Sequence, residues 1–231
     1  MLVNDFGGNM DNRILIAVIV GILVVVVMNL VRKYLEKRYT IKLMKAIMTD
    51  EDEFLKLVDS FMVKYLFPPY NREFMRLNNY IARGADKKVK EQISLMEQMR
   101  MNRNQRFAVY QTAFQYFITI NSESNAKNMQ RKMNAFIDEN KLDPEMKKTI
   151  DMDMKMYFDK DISTLPYIDE KLENCDDADK AVWNLKKAYV LKANQKLEEA
   201  KECIRLVMQY TNDPTQKQIM QDLLDNNLKD L

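Results

Sequence analysis

Residues 181–214 read AVWNLKKAYVLKANQKLEEAKECIRLVMQYTNDP, and the apolar spacing of this stretch decides the fold class. Apolar side chains recur at intervals of three and four, which is the period of amphipathic helices. The stretch predicts two helices, near 178–193 and 195–211. The link between them is brief, and helices joined by brief links are antiparallel neighbours in space.

The same period extends outward in both directions and predicts an all-α chain. Asp143-Pro144 and Asp213-Pro214 each place an aspartate as N-cap and a proline at the first helical position, where its missing N–H is not needed. Gly84 has the position of a glycine that ends a helix. Further helices are predicted near 144–159, 162–174 and 214–226.

A capping signature upstream predicts another helix. Thr49-Asp50 is followed by Asp52 and Glu53, as in N-cap and capping-box chemistry. The helix that follows would carry its apolar residues on one face; they are Phe54, Val58, Phe61, Met62 and Tyr65. A series of short antiparallel helices favours a helical-repeat solenoid over a four-helix bundle.

Part of residues 181–214 resembles the tetratricopeptide-repeat family. The matching residues are Asn184-Leu185, Ala188-Tyr189, Leu197, Ala200, Ile204, Val207 and the ending Asn212-Asp213-Pro214. Two features depart from the family: the interval from Tyr189 to Ala200 is two residues longer, and Lys186 stands where glycine or alanine is usual. The resemblance implies a TPR-like antiparallel helical-repeat solenoid over 49–231.

The family receives peptides on its concave surface, so the resemblance also implies binding residues. Trp183 and Lys187 would lie on the first helix of the repeat, toward that surface. Asn78 and Arg83 would lie on an earlier first helix. The alternative for Trp183 is packing against the preceding helix, since buried aromatic rings dominate core packing.

A long apolar stretch, residues 14–31, reads ILIAVIVGILVVVVMNLV, with Asn29 as its only strongly polar side chain. Its length of about 27 Å as a helix is near the thickness of a hydrocarbon core, so it predicts one N-terminal transmembrane helix. A cleaved signal peptide is the rival interpretation, but no small-residue cleavage site follows. Ala17 and Gly21 form a small-xxx-small pair, which suits either a homodimer through the span or a helix that simply faces lipid.

Basic residues after the span predict its orientation. Residues 32–48 form a juxtamembrane helical stem with Arg32, Lys33, Lys37 and Arg38, whereas the tail 1–13 has only Arg13. The positive-inside rule places the C-terminal domain in the cytoplasm and the N-terminal tail outside. Reduced thiols at the chain's two cysteines would fit that compartment.

The composition excludes several classes of chemistry. Among 231 residues there is no histidine, and there are only four glycines and two cysteines. Catalytic triads, histidine metal sites, glycine-rich phosphate loops and CxxC motifs are therefore absent. We expect no catalytic residues, no cofactor and no metal. The 18 methionines suit either core filling or an adaptable binding surface.

Charge is uneven along the chain. Residues 70–132 hold 12 basic and five acidic side chains, whereas 133–231 hold 15 basic and 21 acidic ones. Arg100, Arg103 and Arg106 lie three apart, as on one side of a helix. A solvated face, contact with the inner leaflet and contact with an acidic partner or nucleic acid all suit this pattern.

These observations predict a non-catalytic, single-pass membrane scaffold or adaptor that binds a protein or peptide partner through its helical-repeat surface. One alternative is a membrane-tethered nucleic-acid-binding protein that uses residues 70–132, although no recognised nucleic-acid motif accompanies them. Another is a structural factor in membrane organisation or cell division. An enzyme built on carboxylates, lysine or tyrosine is disfavoured because no such groups pair at a recognisable spacing.

Overall fold

The computed structural model describes the backbone of residues 7–229 and 231, and the side chains of residues 22–47, 49–177, 179–229 and 231. No strand occurs in this part of the chain, which confirms the all-α class. Twelve α-helices are described: α1 Gly7–Thr49, α2 Glu51–Val58, α3 Phe61–Leu66, α4 Pro69–Ala82, α5 Asp86–Gln98, α6 Arg103–Thr119, α7 Glu123–Asn140, α8 Glu145–Met154, α9 Leu165–Asn174, α10 Asp177–Ala193, α11 Leu197–Tyr210 and α12 Pro214–Asp225. A π-helix, Lys155–Asp159, and a 3-10 turn, Ile162–Thr164, lie between α8 and α9.

The predicted span 14–31 falls within α1, a helix of 43 residues. Among the described residues, no helix has both the length and the apolar character that a membrane crossing requires. The side chains of residues 14–21 lie outside the description, and the predicted pair Ala17 and Gly21 lies there too.

The chain divides into two compact units, Met1–Gln105 and Arg106–Leu231. In the first, the C-terminal part of α1 packs against α2 and α3 around a buried apolar cluster. Its fully buried members include Leu43, Phe54, Val63 and Leu66. Asp50 caps α2 as predicted, because its carboxylate accepts hydrogen bonds from the N–H groups of Asp52 and Glu53.

The single helix predicted across Phe54–Tyr65 is wrong. The chain turns at Asp59-Ser60, and the Ser60 hydroxyl accepts a hydrogen bond from the N–H of Val63 to begin α3. This turn separates the apolar stripe into two faces. Phe54 and Val58 are buried, but Phe61 is 80% exposed and Tyr65 is 64% exposed.

Helices α4 and α5 complete the first unit. Gly84 follows α4 with φ of +61°, a left-handed conformation that confirms its predicted place at the helix end. The guanidinium of Arg83 donates a hydrogen bond of 3.1 Å to the carbonyl of Ile47, near the end of α1. The Lys88 ammonium of α5 pairs with Glu51 at 2.6 Å. The two links join the α4–α5 pair to the end of α1 and to the start of α2.

The second unit contains the helical hairpin predicted from residues 181–214. Helices α10 and α11 pack along their length, and Ala188 and Ala200 are fully buried where the two backbones approach. Asp213 caps α12 as predicted, accepting a hydrogen bond of 2.9 Å from the N–H of Thr215. The helix predicted over 144–159 differs in its last turn, where residues 155–159 widen into the π-helix.

Candidate partner-binding cleft

A cavity of about 630 Å³ opens on the second unit between α7 and the α8–π-helix segment. Helix α7 contributes Lys127 and Gln130. The opposite wall consists of Lys148, Asp151, Met152, Met154, Lys155 and Asp159. A neighbouring cavity of about 480 Å³ continues along α7 and shares Lys127 and Gln130 with the first. We call the two together the α7 cleft.

The most firmly held polar group of the α7 cleft is the carboxylate of Asp151. It accepts a hydrogen bond of 2.8 Å from the Gln130 amide and one of 3.3 Å from the Asn134 amide. Gln130 and Asn134 are four residues apart on α7, so both amides face the same side of that helix. Asp151 is therefore a fixed hydrogen-bond acceptor on the wall of the cleft.

Charged side chains of both signs surround Asp151. The Lys127 ammonium pairs with Glu123 at 2.5 Å, and that hydrogen bond raises the pKa of Lys127 above its ordinary value. Lys148 lies 3.7 Å from Glu145 and 4.0 Å from Glu170. Met152, which is half-buried, supplies flexible apolar surface between the charges, whereas Met154 beside it is buried.

The wall of the α7 cleft is backed by a buried ion pair. Asp153 and Lys186 approach to 2.5 Å, and their side chains are only 6% and 13% exposed. The same ammonium lies 4.5 Å from the centre of the Trp183 ring, in cation–π geometry. Trp183 in turn meets Tyr167 of α9 edge-to-face, with centroids 5.8 Å apart. These contacts join α8, α9 and α10.

The π-helix places Tyr157 beside Tyr189 of α10, with ring centroids 5.2 Å apart. Burial raises the pKa of the Tyr157 phenol to about 12, and the charge of Asp153 adds to the effect. Tyr157 and Tyr189 also line a smaller cavity of about 320 Å³, together with Gln115, Ile118, Thr119 and Asn121. A π-turn often marks a functional position in a helix.

Two residues predicted for a concave surface contact the preceding helix, α9. Trp183 packs on Tyr167, as the alternative interpretation expected. Lys187 pairs with Asp169 of α9 at 2.6 Å. Both are half-buried. Their contacts join α9 to α10, and their part in partner binding stays a prediction.

The remaining predicted binding residues lie on or just after α4, in the loop before α6 and on α6. Asn78 is exposed on α4, whereas Arg83 binds the Asn79 side chain and the Ile47 carbonyl. Arg100 lies in the loop before α6, and Arg103 is the first residue of that helix; both are exposed. Arg106 is half-buried and begins the second unit, so the three arginines do not share one helix within one unit.

The basic residues of the stem are exposed, as a solvated or membrane-facing surface requires. Arg32 pairs with Glu36 at 2.9 Å, one turn along the helix. Lys33, Lys37 and Arg38 are exposed on the same stretch of α1. No cluster of three or more acidic or cysteine side chains suited to a metal ion occurs in the described part of the chain.

The sequence interpretation missed the α7 cleft. Its strongest available signal was the pair Gln130 and Asn134, two amides one turn apart beside the predicted core positions of α7. Their common partner Asp151 lies on a different helix, about 20 residues away, and the π-helix that shapes the opposite wall has no sequence signature. In the comparisons with known proteins, no family model, no curated protein and no solved structure matches this chain.

Proposed function

We propose that this protein is a non-catalytic scaffold or adaptor that is held at a membrane by α1 and binds a segment of a partner protein in the α7 cleft. The observation that carries the proposal is the cleft itself. It combines a fixed carboxylate, lysines on both walls and a methionine surface between them. Protein interfaces commonly pair such an apolar centre with a polar rim.

The chemistry of the α7 cleft favours a partner segment of mixed charge. Asp151 offers an acceptor to a lysine or arginine, and Lys148 and Lys155 suit an acidic side chain. An apolar side chain between these charges would rest on Met152, whose thioether adapts to varied shapes. A helix or an extended segment satisfies these requirements.

Membrane attachment is the second part of the proposal, and two features of α1 support it. From Ile22 to Val31, all the apolar side chains are exposed, each by about half or more. So much exposed apolar surface on one helix is unfavourable in water, and the basic stem that follows suits the cytoplasmic surface. Attachment would raise the effective concentration of the bound partner at the bilayer.

Site-specific photo-crosslinking in the cells that make the full-length protein tests this function. A photoreactive phenylalanine at Met152 lies in the cleft, and one at the exposed Lys217 of α12 is the matched control. We expect a discrete protein adduct from position 152 that is missing from position 217 and survives nuclease treatment. Identical adducts from both positions, or adducts that are mostly RNA or DNA, would contradict the proposal.

Charge reversal gives an independent readout of the same site. Lys155→Glu changes an exposed residue of the cleft wall, and Lys217→Glu makes the same change outside the cleft. We expect Lys155→Glu to lower the yield of the adduct from position 152, since the acidic part of the partner would meet a like charge. An equal effect of the two variants would show that the cleft does not select the partner by charge.

A further inference from the structure

Helix α3 presents two aromatic side chains to the outside of the first unit. Phe61 is 80% exposed and Tyr65 is 64% exposed. They are four residues apart, so both lie on one face of the helix, with Lys64 beside them. The opposite face of α3 is well packed, because Val63 and Leu66 are fully buried in the cluster shared with α1. The aromatic face is therefore held in a fixed orientation.

The cluster beneath α3 extends toward the end of the predicted span. Leu35 packs against it, only four residues after Val31. At the helical rise this interval is about 6 Å along α1, comparable with the thickness of the headgroup region of a bilayer. Tyr34, 64% exposed, marks the same level of α1. Tyrosine is enriched where a membrane helix enters water.

Most of the charges on this part of the stem are positive, and its one acidic residue, Glu36, pairs with Arg32. The stem carries the exposed residues Lys37 and Arg38, with Lys45 about 16 Å beyond Tyr34 along α1, and the exposed Lys64 of α3 lies 3.6 Å from Asp59. Such a cluster attracts an anionic leaflet at short range. Segments that lie in a membrane interface typically combine exposed aromatic rings with cationic side chains.

We propose that Phe61 and Tyr65 insert into the headgroup region of an anionic bilayer, so that the first unit rests on the membrane surface. The inference rests on the membrane attachment in the proposed function. It adds a second contact, beyond the span, that fixes how the first unit is oriented at the surface. The occupant of this aromatic face is lipid, and the stem charges select anionic headgroups.

Quenching of tryptophan fluorescence by brominated lipid tests the contact. The full-length protein is reconstituted in vesicles of brominated phosphatidylcholine and phosphatidylserine in equal parts, and Phe61→Trp is compared with two reference variants. Leu30→Trp lies in the predicted span, and Asp52→Trp lies beside the far end of the stem. Trp183 is the only tryptophan of the parent, so the parent signal supplies the baseline.

We expect quenching at Phe61→Trp at least about twofold greater than at Asp52→Trp, since the far end of the stem is about 27 Å beyond the span. Quenching at position 61 no greater than at position 52, with position 30 strongly quenched, would overturn this inference and leave the attachment intact. That result would also follow if a protein or a second copy covered the face. Absence of quenching at position 30 would overturn the attachment and the inference together.

Vesicles without phosphatidylserine test the charge selection. We expect the quenching at Phe61→Trp to fall when brominated phosphatidylcholine is the sole lipid, while the quenching at Leu30→Trp stays the same. A position-61 signal that is equal in the two lipid mixtures would overturn the preference for anionic headgroups.

Discussion

Replacing Lys186 by methionine should destabilise the second unit strongly. Asp153 and Lys186 are 2.5 Å apart with side chains 6% and 13% exposed, so the variant leaves a carboxylate buried without its counter-charge. Removing one member of a buried pair costs about 3–5 kcal/mol. With a urea dependence of about 2 kcal/mol per molar, a loss of about 3 kcal/mol moves the unfolding midpoint down by about 1.5 M.

Fluorescence of Trp183 follows this transition without any added label. The indole is the only one in the chain, and the Lys186 ammonium lies 4.5 Å from its centre. The signal therefore reports unfolding of the second unit rather than of the first. The measurement is a urea titration of the full-length protein in detergent, with Lys217→Met as the control for loss of an exposed lysine.

The double variant Asp153→Leu with Lys186→Met distinguishes the cost of an unpaired buried charge from the cost of lost packing. Replacing both charges by apolar groups of similar size is often neutral or stabilising. We therefore expect the double variant to recover most of the stability that Lys186→Met loses. A single variant within about 1 kcal/mol of the parent would refute the reasoning, and so would a double variant less stable than the single one.

Three further outcomes follow from packing, backbone conformation and titration. Ala200→Leu should lower the free energy of unfolding in urea by about 1–3 kcal/mol, because Ala200 is fully buried between α10 and α11. Unchanged stability would contradict that close packing. Gly84→Ala should lower the free energy of unfolding by about 1 kcal/mol, since φ is +61° and a new Cβ would meet nothing within 4 Å, so that the cost is conformational. Gly84→Asn should lower it less, and the reverse order would contradict a conformational cost. Burial raises the pKa of Tyr157 to about 12, so the folded state keeps its proton after the unfolded state loses it, and stability should fall as pH rises from 10 to 12. The difference from Tyr157→Phe measures that fall, and a constant difference across the range would exclude the raised pKa.

Local signals in the sequence predicted several helix ends correctly. Asp50 and Asp213 cap the helices expected of them, and Gly84 adopts the left-handed conformation at the end of α4. Each depends on a side chain or backbone within three residues of the cap. Such interactions need no tertiary contact, and the sequence alone therefore predicts them.

The helix predictions were wrong where one apolar spacing pattern suits two different structures. Apolar spacing runs through Asp59-Ser60 without interruption, yet the Ser60 hydroxyl caps a new helix there and turns Phe61 outward. The wide turn at 155–159 satisfies the same periodicity as an α-helix. The deciding interaction is a side-chain cap at Ser60 and a one-residue shift of the backbone hydrogen bonds at 155–159, and the hydrophobic period resolves neither.

The α7 cleft depends on contacts between helices, and local sequence patterns do not predict such contacts. Asp151 receives its hydrogen bonds from α7, and Asp153 meets its counter-charge on α10, 33 residues later. Trp183 shows that local spacing also leaves the surroundings of a single side chain undecided. Its spacing suits a surface position or a packed one, and the edge-to-face contact with Tyr167 of α9 is visible only in the folded chain.

The links at the far end of α1 have a mechanical consequence. Arg83 and Lys88 fasten the α4–α5 pair to the region where α1 ends and α2 begins. If residues 14–31 cross a bilayer, the stem is a lever arm of about 27 Å, and a tilt of about 20° would swing its far end sideways by about 9 Å. A spin label at Lys56, compared between thin and thick bilayers, would detect that displacement. The protein would then convert bilayer thickness into the position of its first unit.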